Sequence, residues 1–368
     1  MRSCDSGSVR LDRAWLTDFR SYASAELQLA PGLTVLLGDN GQGKTNVLEA
    51  IAWLATLGSF RGAPTDALIR RGAERAVIRA EGERDGRSVL IEAELVASGR
   101  NRVLVNRQPL KRARDLLGVL RVTVFSPDDL ALVKGGPGER RRYLDDALVA
   151  SHPRYDSLQG EVDKILKQRN ALLKGAGGRL DGDASFTLDV WDAKLVESGG
   201  RLAQARQALL ERVAPVLAET YDAVANRPAS VTAAYAADWA WMGLAEALAA
   251  SRRDDVRRGV STVGPHRDDV ELQIGDMPAR SHASQGEQRS LALALRLASH
   301  RVITDVTGSA PVLLLDDVFS ELDPDRSDAL LANLPVGQTL LTSASGLPPK
   351  ASPDVVLEVR DGRVRALP

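Results

Sequence analysis

The sequence predicts an α/β head that is split along the chain and interrupted by a helical arm. Three observations predict it. A short apolar run, Leu33–Leu37, ends in a glycine-rich loop and is followed by apolar residues at helical spacing. A second apolar run, Val312–Leu315, ends in two adjacent acids. Between them, from about Asp128 to Val256, helical periodicity dominates, and after Gln285 strands and helices alternate again. Residues 1–125 and 263–368 are therefore expected to form one discontinuous head of mixed sheets around the loop helix. Residues 126–262 are expected to form the arm, with a further motif at 282–288 following it.

Val9–Arg20 reads as a strand with Leu16 and Phe19 as anchors. Leu33–Leu37 suits a buried parallel strand. Val47, Leu48, Ile51, Leu54 and Ala55 mark the next helix, expected to stop at Gly58. Ala76–Glu83 and Ser88–Val96 flank Asp85-Gly86, a strong hairpin signal, and Val103–Val105 adds a third strand. Leu116–Phe125 reads as a core strand. In the arm, Val162, Ile165, Leu166, Arg169, Leu172 and Leu173 trace one amphipathic helix; Leu195–Ala218 and Leu244–Ala250 are similar, and Gly175–Asp183 is a loop. Leu340-Leu341 and Val355–Val359 read as strands, the latter ending at an Asp361-Gly362 turn. There is no internal repeat and no sustained heptad.

With 368 residues, 44% hydrophobic and 26% charged, the chain has the make-up of a globular protein of about two domains. Its formal net charge of −1 gives no bulk attraction to nucleic acid, so any such binding must come from a local basic patch. The single cysteine, Cys4, excludes an internal disulfide framework and fits a reducing cytoplasm. No apolar run approaches membrane-spanning length and no signal peptide is visible; Met1–Ser8 is expected to be disordered.

Gly38-Asp39-Asn40-Gly41-Gln42-Gly43-Lys44-Thr45 fits G-x-x-x-x-G-K-[ST] between a strand and a helix. Backbone N–H groups of such a loop wrap phosphate oxygens, and the helix points its positive end at the anion. Lys44 would bridge the β- and γ-phosphates, and the Thr45 hydroxyl would hold Mg²⁺. Asp316 would orient the same magnesium, and Asp317 would polarise the attacking water. A surface Asp-Asp turn is the competing reading, weakened by the loop upstream. Ser284-Gln285-Gly286-Glu287 is a capping box before an apolar helical face, and capping alone accounts for it. The same cap also makes a γ-phosphate site, in trans, for a nucleotide held by another subunit. Ser320-Glu321-Leu322-Asp323 is either a helix start or a contact across such a seam.

The set of motifs resembles the ABC-type ATPase heads of SMC-like DNA repair proteins. Further segments resemble the RecF family. These are Asp18-Phe19-Arg20-Ser21-Tyr22, the loop through Asn46 and on to Ile51, Phe125–Leu130, Gly136-Pro137 with Arg140–Asp145, and Thr262–Asp269. The resemblance runs from about Val9 to Arg365. It implies a recombination mediator that binds ATP and magnesium, dimerises on ATP and hydrolyses it weakly. It also implies binding to double-stranded DNA near single-strand/double-strand junctions, and help for RecA loading together with RecO and RecR. It places Arg20, Asn46, Ser284, Gly286 and Glu287 with the loop residues among the ATP contacts, and makes Lys44, Asp316, Asp317 and Ser284 the catalytic set.

Two departures from the wider ABC pattern stand out. Asp317 replaces the usual glutamate, one methylene longer, and Thr342 or Ser343 stands where a switch histidine is expected. Candidate DNA contacts are Lys134, Arg140, Arg141 and Arg142, with Lys164 and Lys167 on the arm; a solvated or salt-bridged face is an equal alternative for the arginine run. Arg252, Arg253, Arg257 and Arg258 alternate with acids and read as a salt-bridged helix, while His266 and Arg267 are of interest by resemblance alone. Two other functions compete: an ABC-type motor subunit of a transporter or another SMC-like machine, and a scaffold with a relic nucleotide fold. The missing histidine and the large insert weigh against the first, and the intact Lys44, Thr45, Asp316 and Asp317 against the second.

Overall fold

The computed structural model describes residues 9–225, 229–344 and 346–367. Cys4 and the expected disorder of Met1–Ser8 lie outside the described residues. Fifteen strands are present among them: β1 Arg10–Phe19, β2 Tyr22–Gln28, β3 Leu33–Leu37, β4 Arg75–Arg84, β5 Arg87–Val96, β6 Arg102–Val105, β7 Gln108–Pro109, β8 Val122–Phe125, β9 Val231–Ala236, β10 Asp269–Ile274, β11 Met277–Pro278, β12 Val312–Leu315, β13 Thr339–Ser343, β14 Val355–Arg360 and β15 Arg363–Ala366.

The chain divides into two compact units. The head holds the described residues through Leu130, those of 219–229, and those from Ser284 onward; the arm holds Ala131–Ala218 and Ser230–Ala283. These bounds differ from the expected breaks at 125/126 and 262/263. The last turns of helix Gly200–Ala225 count with the head, and the Thr262–Asp269 segment counts with the arm.

Two six-stranded sheets build the head. One is antiparallel, in the order β2-β1-β4-β5-β6-β7. The other, β15-β14-β3-β13-β12-β8, is parallel except for β15. The β4–β5 hairpin turns through Asp85 and Gly86, both at positive φ (52° and 74°), which is the backbone that the Asp-Gly pair anticipates. Strands β3, β12 and β13 are buried on both faces, so their sequences read as unbroken apolar runs rather than alternating ones.

Helix Lys44–Thr56 lies in the core with residues of both sheets. Leu48, Ile51, Trp53 and Leu54 cluster with Leu16, Ile78 and Ile91 of the antiparallel sheet and with Leu36, Leu314 and Leu340 of the parallel one. Each such buried aliphatic side chain contributes roughly 1.5–3 kcal/mol of transfer free energy. The helix stops one residue before the expected Gly58: Leu57 itself takes the left-handed cap (φ 60°), and its N–H donates to Trp53 O.

The arm carries helices Pro137–Ser151, Arg154–Gly175, Gly182–Lys194, Leu244–Arg258 and most of Gly200–Ala225. It also contains an antiparallel sheet, β11-β10-β9, that the sequence reading did not anticipate. The expected core strand Leu116–Phe125 is shorter than read: only Val122–Phe125 is extended, and Ala113–Leu116 is a 3₁₀ turn.

Candidate nucleotide site

Strands β3, β12 and β13 run parallel, with Leu315 beside Leu341 and Leu37 beside Ser343. Their carboxyl ends therefore deliver Gly38–Thr45, Asp316-Asp317 and Thr342-Ser343 to one edge of the sheet, the edge where open α/β sheets bind ligands. Gly43 caps the loop helix at φ 109°. A Cβ there would meet Ser21 Oγ at 2.7 Å and Tyr22 Oη at 3.0 Å, so only glycine fits. The Tyr22 hydroxyl donates to Gly43 O (2.9 Å), and burial pushes its phenol well above the usual range.

Lys44 is buried, and its Nζ donates to Gly38 O (2.7 Å) and Asp39 O (2.9 Å). The ammonium is thus held inside the curl of the loop, while Asp39, Asn40 and Gly41 are exposed at its mouth. Three expected nucleotide contacts have partners within the fold. Gln42 Oε1 accepts from Asp361 N (2.7 Å), Asn46 Nδ2 donates to Ser21 Oγ (3.0 Å), and Arg20 forms a two-pronged pair with the fully buried Glu49 (2.7 and 2.8 Å).

Thr45 and Asp316 meet across 271 residues of sequence: Thr45 Oγ1 donates to Asp316 Oδ1 at 2.8 Å. Thr342 Oγ1 donates to the same oxygen at 2.8 Å. Burial raises the Asp316 pKa, with the neighbouring Asp317 adding to the rise; the two hydroxyls and the Arg61 charge oppose it. Asp317 sits in the left-handed region (φ 47°, ψ 35°) and its N–H donates to Thr342 Oγ1 (2.8 Å). Its Oδ1 is buried with no hydrogen-bond partner among the described residues.

These donors fit magnesium. Among the described residues no group of three or more His, Cys, Asp or Glu forms a metal cage. Mg²⁺ ordinarily takes one or two protein oxygens and completes its shell with substrate phosphates and water. A threonine hydroxyl touching a carboxylate at a phosphate loop is that kind of partial site, and among the described residues Asp316 Oδ2 makes no hydrogen bond that would compete.

Helix Gln285–Thr307 begins with the reciprocal cap anticipated from sequence. Ser284 Oγ accepts from Glu287 N (3.3 Å), and Ser284 N donates to Glu287 Oε2 (2.7 Å). Ser284 and Gln285 are exposed. A Cβ at Gly286 would collide with the Arg326 guanidinium, which places a cation beside the first turn of this helix. Asp323 caps helix Pro324–Ala332, and Ser320 Oγ donates to Asp317 O (2.8 Å), which ties the segment after the acids to the acids themselves.

Residues 10–339 match the family model described as the RecF/RecN/SMC N-terminal domain. The chain is 42% identical over 395 aligned residues to the DNA replication and repair protein RecF of Arthrobacter sp. (strain FB24), covering 97% of each. This chain belongs to the RecF family. RecF of Kineococcus radiotolerans is 45% identical over 90% of this chain and 91% of its own length. A solved structure described as the recombination mediator protein RecF-ATP in the RecFOR pathway superposes with a TM-score of 0.89 at 30% identity, over 98% of both chains. The Smc head domain of Pyrococcus furiosus, at 16% identity and TM-score 0.59, shares the fold.

In this RecF-family arm the basic candidates separate by burial. Arg140 is buried; its guanidinium pairs with Asp269 (2.6 and 2.9 Å) and donates to Leu132 O and Gly135 O. Four of its five N–H groups are thus engaged within the arm. Arg141 is half-buried and donates to Asp268 O (2.7 Å), and burial lowers its pKa. Arg142, Lys134, Lys164 and Lys167 are exposed. The Thr262–Asp269 segment is an internal hub: Arg206 pairs with Asp145 and donates to Pro265 O, and Tyr235 and Trp239 both donate to Asp268. His266 Nε2 lies 3.0 Å from Ser261 O, and Arg267 donates to the same carbonyl. Sequence reasoning missed Arg61 and Arg326. A lone arginine in the turn after the loop helix, and one in the first turn of helix Pro324–Ala332, were the available signals.

Proposed function

We propose that this RecF-family chain, which has the fold of an ABC-type ATPase, binds ATP with magnesium on the Gly38–Thr45 loop and uses it to close a two-fold dimer around double-stranded DNA. The observation that carries the reading is the meeting of Thr45, Asp316 and Thr342 at the ends of three parallel strands, beside a loop whose lysine is already curled inward. Lys44 would move from the Gly38 and Asp39 carbonyls onto phosphate oxygens. Thr45 and Asp316 would hold magnesium, which supplies charge neutralisation of the phosphates when bound. Asp317 would take the proton of the attacking water through its uncommitted carboxylate. Its shorter reach than glutamate, and its position fixed by a left-handed backbone, favour slow turnover.

Ser284 is exposed at a helix start, where it has no phosphate of its own to bind, and a second copy docked head-to-tail would present one. DNA would lie against exposed arm lysines and Arg142, contacts that position a duplex without reading its sequence. Single-strand/double-strand junctions are the preferred duplex, and RecO and RecR, through them RecA, are the partners in replication-gap repair. The chain would act in the cytoplasm; among the described residues no helix is long and apolar enough to cross a membrane.

The test combines light scattering and gel shift with a short duplex, each with ATP, ADP or no nucleotide. A dimer and a shifted duplex with ATP alone are expected. DNA binding indifferent to nucleotide would overturn the clamp.

A further inference from the structure

Thr342 is one of the two residues that stand where a switch histidine is expected, and its hydroxyl is already spent. The residue is fully buried in β13, between the phosphate-loop strand β3 and the acid strand β12. Its single proton goes to Asp316 Oδ1 and its oxygen accepts the Asp317 N–H, both at 2.8 Å. No donor is left for a phosphate. The two bonds do different things. The first, with Thr45 on the other side, fixes the Asp316 carboxylate by one oxygen. The second gives a partner to a backbone N–H turned inward by the left-handed conformation of Asp317, an unusual one for a residue with a Cβ.

We propose that Thr342 is a positioning residue that sets both acids at once, so that magnesium use and ATP turnover depend on its hydroxyl while capture of the nucleotide by the loop does not. This rests on the ATPase reading above.

The variants are Thr342→Val, which keeps the shape and removes the hydroxyl, and Thr342→Ser, which keeps the hydroxyl. For each, three quantities are measured: the melting temperature, the magnesium concentration needed for half-maximal ATP binding by calorimetry, and steady-state kcat and KM. Loss of a group that orients a metal-site carboxylate ordinarily costs about tenfold or more, so Thr342→Val should lower kcat and raise the magnesium requirement by about that factor. KM for ATP at saturating magnesium should change little, and Thr342→Ser should restore both quantities. Thr342→Val with wild-type kcat and magnesium requirement, or Thr342→Ser as impaired as Thr342→Val, overturns the proposal. Should Thr342→Val not fold, Thr342→Cys carries the same test: it has nearly the same size, it is a poor hydrogen-bonder, and an unchanged kcat in it is equally fatal. A wild-type protein that fails to bind ATP would instead overturn the ATPase reading itself.

Discussion

The Lys44 ammonium is held by two hydrogen bonds to loop carbonyls, so its role in the resting fold is small and its role with nucleotide large. Lys44→Met should abolish ATP binding by calorimetry while shifting the melting temperature by no more than a few degrees. Normal affinity in a folded variant would remove the phosphate-loop assignment. Asp317→Asn tests the other end of the reaction. Asparagine tolerates the left-handed backbone as aspartate does, so the fold should hold. Losing the carboxylate should cut turnover by about a hundredfold and leave an ATP-bound dimer that persists in light scattering. Wild-type turnover would move the general base elsewhere. At this scale the sequence was most informative where chemistry is local: the loop, the acid pair and the serine cap lie where their motifs place them. It was least informative about the run Arg140–Arg142. Successive helix residues point about 100° apart, so three adjacent arginines cover most of a helix circumference, and only packing decides that one is buried, one half-buried and one exposed.

Among the elements, helix Gln285–Thr307 carries a titration the motifs do not suggest. His300 is buried on it, 3.1 Å from Thr123 Oγ1, with Nε2 unpartnered among the described residues. Burial pushes its pKa down to about 4. The unfolded chain takes up this proton near 6.5, the ordinary imidazole value, and the native state resists it, so the stabilisation is present above that value and is lost as pH falls toward 4. Each pH unit in that window costs about 1.4 kcal/mol. Unfolding free energies from urea titrations should therefore fall by more between pH 7.5 and 5.5 in the wild type than in His300→Gln, by about 1 kcal/mol. Equal falls would place the pH sensitivity elsewhere. In the arm, Arg169 is fully buried between Asp192 (2.6 Å) and Asp255 (2.7 Å) and also donates to Ser261. Arg169→Met would leave the fully buried Asp255 without its counter-charge, while the half-buried Asp192 keeps Arg252 at 3.5 Å; urea unfolding should show a loss of about 3–5 kcal/mol, and a loss below about 1 kcal/mol would mean that Asp255 finds another partner. The sequence marked Arg169 on an apolar helical face without saying why it belonged there. Strand β9 was illegible for a related reason. Val231–Ala236 is short and alanine-rich, it sits in a helical stretch, and its ladder partner β10 begins only at Asp269. The pairing that makes it a strand is not local.

For the molecule as a whole, the decisive test is assembly. Ser284→Arg leaves the phosphate loop untouched, so ATP binding should persist, while an ATP-dependent dimer and its turnover should disappear. A dimer of normal stability would reduce Ser284 to a helix cap. DNA affinity should fall steeply with salt, and replacing both Lys164 and Lys167 by glutamate should lower the magnitude of the log–log salt slope by about 2 if each neutralises a phosphate. An unchanged slope would assign the duplex to Lys134, Arg142 or another face.

The strand order also fixes a timetable. Strand β3 ends at Leu37 and is flanked by β13 and β14, which begin at Thr339 and Val355. On the ribosome the phosphate-loop strand therefore has neither neighbour for roughly 300 residues of elongation, on the order of 15 s to a minute. Through that interval its apolar edges are unsatisfied, and the antiparallel β1–β2 and β4–β5 hairpins, whose partners are adjacent, can form alone. The nucleotide loop is among the first segments made and among the last to acquire its shape. A release of the chain before Thr339 would leave an early motif that is complete in sequence and has no sheet to stand in.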